Sequence, residues 1–191
     1  MLLRTDRLIL REFVEDDWQA MFEYQSDERY LRYNPWEQGD QEKVRDFVAM
    51  FMRYQKEEPR RKFQLAIVLP GEEDTVIGNC GVRVQSLGEH EGDMGYELAP
   101  WHWGKGLVTE AAGTMLRFGF EKLNLHRISA HCIAENIASA HVLEKIGMRL
   151  EGRLREKEWM KGRWWDTLLY GVLETDEGLG IRDQGLEPGS Y

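Results

Sequence analysis

The chain has 191 residues, which fits one domain, and it contains no apolar stretch of the ~20 residues that a membrane-spanning helix needs. Its formal net charge of −9, from 34 acidic and 25 basic residues, is unsuited to general binding of the nucleic-acid backbone. Its two cysteines lie in apolar segments and do not form a disulfide scaffold, and charges interrupt the first residues too early for a signal peptide, so we expect a cytoplasmic protein.

Hydrophobic periodicity predicts a mixed α/β domain over residues 1–174. In chain order, the predicted elements are a strand at 7–12, helices at 16–25 and 40–54, strands at 63–69, 76–84 and 93–99, a helix at 105–123, a strand at 126–133, a helix at 137–146, and strands at 148–159 and 163–174. Residues 175–191 have no periodicity and are rich in glycine and acids, so we expect an extended or mobile tail.

Residues 94–111 carry the strongest functional signal, because a strand, a proline and a glycine-framed turn precede a helix. Helix N-termini have unpaired N–H groups and a partial positive charge, and Gly104 and Gly106 let the backbone approach an anion. Lys105 is not followed by the Ser or Thr of a Walker loop, and Thr109 replaces the third glycine of a dinucleotide fingerprint. The loop predicts a site for a phosphate-bearing ligand, and a tight strand-to-helix turn without a ligand is the alternative interpretation of the same pattern. The residues predicted to hold the ligand are Trp103, Gly104, Lys105, Gly106, Leu107, Val108 and Thr109.

The loop 104–106 resembles the pyrophosphate loop of the GCN5-related N-acetyltransferase (GNAT) superfamily, which binds acetyl-coenzyme A (acetyl-CoA). Residues 5–11 resemble the first strand of its RimJ/RimL-like branch, residues 136–148 its second cofactor-binding helix, and residues 164–170 its last strand. The resemblance runs in order from about residue 5 to residue 173. It implies a single GNAT-type α/β (mixed α+β) domain, with a mostly antiparallel central sheet flanked by helices and a splayed strand pair that holds the coenzyme.

The resemblance also implies roles for single residues. The pantetheine arm inserts beside the strand before the loop, where Leu98 and Ala99 offer main-chain bonds and the Leu98 N–H is the candidate oxyanion donor. Asn136 and Ser139 are assigned to the coenzyme and its sulfur, although an ordinary N-cap and a first-turn serine are the simpler interpretation of these two residues.

Two positions depart from the family pattern. Trp101 stands where the family commonly has Gln or Arg, which removes a side-chain contact but leaves the backbone loop intact. Leu143 stands where many relatives carry the tyrosine that protonates the leaving thiolate, and the Ser139 hydroxyl is the predicted substitute.

Glu97 is the candidate general base, since strand alternation puts it on the face of Ala99 and opposite Leu98. Its carboxylate would take the proton of the substrate ammonium directly or through water, while a charge on a solvent face is the alternative. Trp36 and Asp166 are the candidate substrate-binding residues, in a cleft between the first helices and the last hairpin. Their alternatives are a core filler and a structural carboxylate.

The expected acceptor is a protein N-terminal α-amine. An α-amine with a pKa of about 7.7–8.0 is uncharged in roughly one molecule in seven at neutral pH, against about one lysine in 2500. Small amines, a non-catalytic CoA-binding sensor or partner-binding module, and an enzyme that binds ATP or NAD are the alternatives. We expect no metal site, since no His/Cys spacing fits zinc, no nucleic-acid partner and no membrane partner. A homodimer is one alternative for the oligomeric state.

Overall fold

The computed structural model describes residues 1–85, 88 and 90–176, except for the side chains of Glu73 and Asp74. The predicted tail therefore lies outside the described residues from residue 177 onward. Asp176 is described, and its carboxylate accepts the N–H of Leu173 at 3.0 Å.

Eight strands of the described chain form one sheet, in the order β1-β2-β3-β4-β5-β6-β8-β7. The strands are β1 (Leu2–Arg4), β2 (Ile9–Arg11), β3 (Lys62–Leu69), β4 (Glu72–Val84), β5 (Glu91–Leu98), β6 (Arg127–Ile133), β7 (Arg149–Met160) and β8 (Arg163–Leu173). The helices are α1 (Trp18–Gln25), α2 (Glu28–Leu31), α3 (Gln41–Tyr54), α4 (Leu107–Glu121) and α5 (Ile137–Lys145). Only β5 and β6 pair in parallel among these strands. The predicted mixed α/β domain with a mostly antiparallel sheet is confirmed.

The two short elements β1 and α2 were not predicted from the sequence. β1 has three residues that pair with β2, and α2 has four residues capped by Asp27, whose carboxylate accepts the N–H of Arg29 at 2.8 Å. Segments this short cannot show a hydrophobic period, so their conformation depends on capping and on pairing with neighbours.

Two apolar cores lie on the two faces of the sheet. Met94 and Leu98 of β5 belong to the core that also contains the buried faces of α4 and α5. Ala99, just after β5, belongs to the core formed with α1, α2 and α3. The alternation along β5 therefore assigns its side chains to opposite layers, as the sequence predicts.

The β5–β6 pair opens after three residue pairs. The pairing runs from Glu91 opposite Arg127 to Asp93 opposite Ser129, although β5 continues to Leu98 and β6 to Ile133. β5 stays paired with β4 as far as Leu98, so it is the β6 side of β5 that becomes free. The predicted splayed strand pair is therefore present. Pro100, which lacks an N–H, comes two residues after the last residue of β5.

Candidate functional site

The turn after β5 is a glycine loop with a left-handed backbone. Gly104 and Gly106 have φ angles of 74° and 75°, which L side chains rarely adopt. A Cβ on Gly104 would meet no atom within 4 Å, so the glycine is needed for its conformation and the space beside it is open. Gly106 is the N-cap of α4, and its carbonyl accepts the N–H of Glu110 at 3.1 Å.

The amides before Glu110 form the anion-binding candidate. Because the N–H of Glu110 makes the first bond of α4, the N–H groups of Leu107, Val108 and Thr109 have no earlier carbonyl of the helix to bond. They open α4 next to the exposed Lys105. The observed helix begins at Leu107 and not at 105, since Gly106 is left-handed and ends the loop.

Trp103 ties this loop to the end of β5. Its indole N–H donates to the carbonyl of Leu98 at 2.7 Å, while 45% of the residue stays exposed. Trp101, two residues earlier, is 42% exposed. The carbonyl of Leu98 is thus engaged within the chain, a contact that the sequence pattern did not indicate.

The N–H of Leu98 points into the opening between β5 and β6. Ala99 donates its N–H to the carbonyl of Ile77 at 2.7 Å, so Ala99 faces β4 and Leu98, one residue earlier, faces the other way. The carbonyl of Ala99 accepts the N–H of His102 at 2.9 Å. Leu98 therefore offers a donor to the opening, whereas Ala99 retains only a carbonyl lone pair for a further contact.

Glu97 is the centre of a hydrogen-bond cluster on the face of β5 that packs against α1 and α2. Its Oε1 accepts from the hydroxyl of Tyr24 at 2.6 Å, from the amide of Gln25 at 2.8 Å and from the amide of Asn79. Its Oε2 accepts from the hydroxyl of Tyr30. Oε1 thus accepts three hydrogen bonds and Oε2 only one, so Oε2 is the oxygen with room for a further contact.

The two tyrosines are donors to this carboxylate at neutral pH. Burial, followed by the charge of Glu97, raises the pKa of Tyr24 and of Tyr30 well above the ordinary value of 10.0. Both phenols therefore remain protonated. Sequence reasoning proposed Glu97 but missed its four partners, which come from α1, α2 and β4.

A second polar group lies on the other face of β5. The hydroxyl of Tyr96 donates to the main-chain carbonyl of Ser139 at 2.9 Å and lies 3.0 Å from the Ser139 hydroxyl. Asn136 caps α5, and its side-chain oxygen accepts the N–H of Ser139 at 3.2 Å. Leu143 is 1% exposed in the core. Strand alternation puts Tyr96 on this face, but the sequence did not show that it reaches Ser139.

Trp36 and Asp166 belong to separate groups of contacts. Trp36 packs edge-on against Phe47 of α3, with 5.7 Å between ring centroids. Asp166 accepts the backbone N–H of Glu156 at 2.7 Å and Nε of Arg153 at 2.6 Å, and these bonds lower the pKa of its carboxyl. The structure thus groups Trp36 with α3 and Asp166 with the β7–β8 hairpin.

The first helices and the last hairpin do meet. Lys161, in the turn between β7 and β8, donates to the carbonyl of Leu31 at 2.5 Å. The ring of Tyr33 lies edge-on to Trp165, with centroids 6.1 Å apart, and its hydroxyl donates to the carbonyl of Glu135 at 3.0 Å. The Lys161 contact joins the last hairpin to α2, at the residue that follows Tyr30 of the Glu97 cluster.

The described residues contain neither a metal-binding cluster nor a membrane-spanning helix. Among them, no three side chains of His, Cys, Asp or Glu lie close enough together to hold a metal ion. Within the same part of the chain, no helix combines the length and the apolar character needed to cross a membrane.

Comparisons with known proteins converge on one family. The family model described as "Acetyltransferase (GNAT) domain" matches residues 7–149. The chain is 38% identical to the uncharacterized N-acetyltransferase YnaD of Bacillus subtilis (strain 168), over 92% of this chain and 99% of that protein. It is 26% identical to the [ribosomal protein uS5]-alanine N-acetyltransferase of Escherichia coli (strain K12), over 91% of each. A GNAT-family acetyltransferase structure from Bacillus anthracis superposes with a TM-score of 0.78 and 34% identity, covering 92% of this chain and all of that one.

Proposed function

The chain belongs to the GNAT family of acetyltransferases, and we propose that it transfers the acetyl group of acetyl-CoA directly to a protein N-terminal α-amine in a ternary complex. The observation that carries this proposal is the opening between β5 and β6, which ends at the amide-lined glycine loop. An anion site at one end of an open strand edge suits a ligand with a diphosphate and an extended amide-containing arm.

The coenzyme is held mainly by backbone groups in this proposal. The amides of residues 104–109 bind the diphosphate, with Lys105 as an added point charge. The N–H of Trp103, which the sequence placed in this set, instead donates to the carbonyl of Pro100 at 3.3 Å. The arm lies along the free edge of β5, with Leu98 and Ala99 on one side and Asn136 and Ser139 at the start of α5 on the other. The N–H of Leu98, which points into the opening, donates to the oxyanion that develops on the thioester carbonyl.

Glu97 acts as the base. The amine attacks the thioester carbon as a free base, so its ammonium form must first lose a proton. Oε2 of Glu97, bonded by Tyr30, keeps one lone pair with which to accept that proton directly or through water. The remaining donors of the cluster fix the carboxylate on the face of Ala99, whereas the N–H of Leu98 lies in the plane of the sheet.

The Ser139 hydroxyl supports the departing thiolate. The carbon–sulfur bond breaks as the tetrahedral intermediate collapses, and the sulfur takes up negative charge and then a proton. Ser139 lies in the first turn of α5, and its hydroxyl is 3.0 Å from the hydroxyl of Tyr96. Because the single proton of Tyr96 is donated to the main-chain carbonyl of Ser139, the Ser139 hydroxyl can turn its own proton toward the sulfur. That proton converts the thiolate to the thiol, and the serine oxygen then regains a proton from solvent.

Ser139→Ala is expected to lower kcat about 10-fold, which corresponds to one lost hydrogen bond to a charged group, with little change in the Kd of CoA. Steady-state kinetics and calorimetry measure the two effects. Tyr96→Phe keeps the ring and removes the hydroxyl, so a smaller loss of kcat is expected. A Ser139→Ala enzyme with undiminished kcat would remove this residue from the reaction.

A protein N-terminal α-amine is the acceptor that this site activates most easily. A single carboxylate favours an acceptor amine of which a useful fraction, roughly one molecule in seven, is already deprotonated at neutral pH. The 26% identity to an alanine N-acetyltransferase of a ribosomal protein, over 91% of both chains, supports the same class. We also propose that the Asp166 carboxylate contacts the substrate ammonium while it remains paired with Arg153.

Trp36 is proposed to wall the acceptor cleft, and Trp36→Ala is therefore expected to raise the acceptor KM several-fold. The ring packs on Phe47, so the variant will also lose about 2–4 kcal/mol of stability, as large-to-small core changes do. Acceptor KM and the unfolding free energy are measured together. Lost stability with an unchanged KM would mean that Trp36 only fills the core.

An acceptor panel tests the proposed function. Thiol release from acetyl-CoA is followed with peptides bearing free N-terminal amines, with N-terminally blocked lysine peptides and with small amines such as spermidine. We expect the highest kcat/KM with the free N-terminal peptides. Turnover of small amines alone would reassign the acceptor, binding of CoA without turnover would indicate a sensor, and thermal stabilisation by ATP or NAD but not by CoA would contradict the proposal.

A further inference from the structure

Arg7, in the connection between β1 and β2, lies against the glycine loop. Its Nη1 donates to the main-chain carbonyl of Lys105 at 2.9 Å. Its Nη2 lies 3.5 Å from the position that a Cβ on Gly106 would occupy. A side chain from the start of the chain thus contacts the backbone of a loop about 100 residues later.

This contact determines which way one amide of the loop points. The C=O and N–H of a trans peptide point in opposite directions across a rigid plane. Because the carbonyl of Lys105 points at Arg7, the N–H of Gly106 in the same peptide points away from Arg7. Without the guanidinium this peptide would be free to rotate, since glycine at 106 offers little resistance.

Glu110, in the first turn of α4, holds Arg7 in place. Its carboxylate accepts Nε of Arg7 at 2.7 Å, the main-chain N–H of Arg7 at 3.0 Å and the hydroxyl of Thr5. Nη2 of Arg7 lies 2.6 Å from the same carboxylate. The negative charge of Glu110 offsets the positive charge of the guanidinium. Arg7 therefore contributes more by orienting the loop peptide than by adding net charge.

We propose that Arg7 is a positioning residue for the diphosphate: its fork joins Glu110 to the carbonyl of Lys105 and so directs the N–H of Gly106 into the anion site. This inference rests on the proposed function, because it assumes that the loop binds the diphosphate of CoA. A residue at position 7 that cannot bond both the Glu110 carboxylate and the Lys105 carbonyl is expected to leave the Gly106 N–H without a fixed orientation. This holds whether or not the new residue is positively charged.

The test compares two ligands that differ by the adenosine diphosphate group, which is present in dephospho-CoA and absent from pantetheine. The dissociation constants of dephospho-CoA and of pantetheine are measured for wild type, Arg7→Met and Arg7→Lys, by calorimetry and by competition. Both variants are expected to bind dephospho-CoA about 10-fold more weakly, with pantetheine unchanged, because only the diphosphate uses the oriented amide. If Arg7→Lys retains wild-type affinity, charge and not orientation is what matters, and the proposal is overturned.

Arg60→Met is the matched control. Arg60 bonds a carboxylate, Glu12, through both Nη atoms at 2.6 and 3.1 Å, and a main-chain carbonyl, that of Lys62, at 3.1 Å. Arg60 therefore also joins a carboxylate to a main-chain carbonyl, near the start of β3 and away from the loop. Its replacement should lower stability without changing either dissociation constant. Equal losses for both ligands, or the same loss in Arg60→Met, would contradict the proposal. Wild-type protein that binds no CoA would instead contradict the proposed function.

Discussion

Glu97→Gln is expected to lower kcat by about 10²–10⁴-fold, the usual contribution of a positioned general base, while acetyl-CoA binding persists. Glutamine has the shape of glutamate but cannot accept a proton from the acceptor ammonium. The affinity for the coenzyme should remain, because the proposed coenzyme contacts come from backbone amides and from α5, on the other side of β5.

The cluster around position 97 can accommodate the amide. With the glutamine oxygen at the Oε1 position, the donors Tyr24, Gln25 and Asn79 keep their acceptor. The amide nitrogen then occupies the Oε2 position and donates to the hydroxyl of Tyr30, which can accept as well as donate. A loss of activity would therefore reflect the loss of the proton acceptor and not a disruption of the hydrogen bonds around position 97.

Activity from pH 6 to 9 and calorimetric CoA binding measure this effect. Glu91→Gln is the matched control, because residue 91 lies on the same strand and the same face, with its carboxylate paired to Arg127 at 3.0 Å. That control should retain wild-type kcat. Full activity of Glu97→Gln across this pH range would show that Glu97 is not the base.

The double change Gly104→Ala/Gly106→Ala is expected to weaken CoA binding by about 10²-fold. Each alanine in the left-handed region costs roughly 1–2 kcal/mol, and the loop can escape that strain only by rotating its amides out of the anion site. Binding must then restore the strained conformation, and about 1.4 kcal/mol corresponds to each tenfold loss of affinity.

Gly71→Ala is the control for this strain. Gly71 has a φ of 85° in the turn between β3 and β4, and a Cβ there would meet nothing within 4 Å. The same conformational cost arises away from the loop, so stability should fall while the Kd of CoA stays constant. CoA affinity that survives the double change would mean that the diphosphate does not bind at these amides.

Periodicity alone predicted the longer elements. α3, with Asp40 as its N-cap, spans Gln41–Tyr54, and the alternation of β3 spans Lys62–Leu69, both close to the predicted limits. In α4, apolar residues recur at helical spacing on one side, and this side contains the fully buried Ala111 and Met115. These features are local, since each depends on residues within a few turns or strand positions.

The contacts of the candidate site depend on long-range register and were not predictable from local pattern. Glu97 meets Tyr24 and Tyr30 across 73 and 67 residues, and Tyr96 meets Ser139 across 43 residues. The sequence identified Glu97 and Ser139 as polar residues of the right type. Which hydroxyls and amides surround them is decided by how the α1–α2 segment and α5 pack on the two faces of β5.

The sheet consists of two antiparallel flanks joined by the three residue pairs that start at Glu91 and Arg127. An occupant of the opening bridges these flanks as an extra strand would, so its binding free energy adds to the cohesion of the whole domain. At 100 times its Kd, such an occupant contributes about 2.7 kcal/mol by mass action. The resistance of the domain to heat and to proteolysis therefore rises with the concentration of the molecule that occupies the opening. When that molecule is depleted, the folded enzyme becomes less stable.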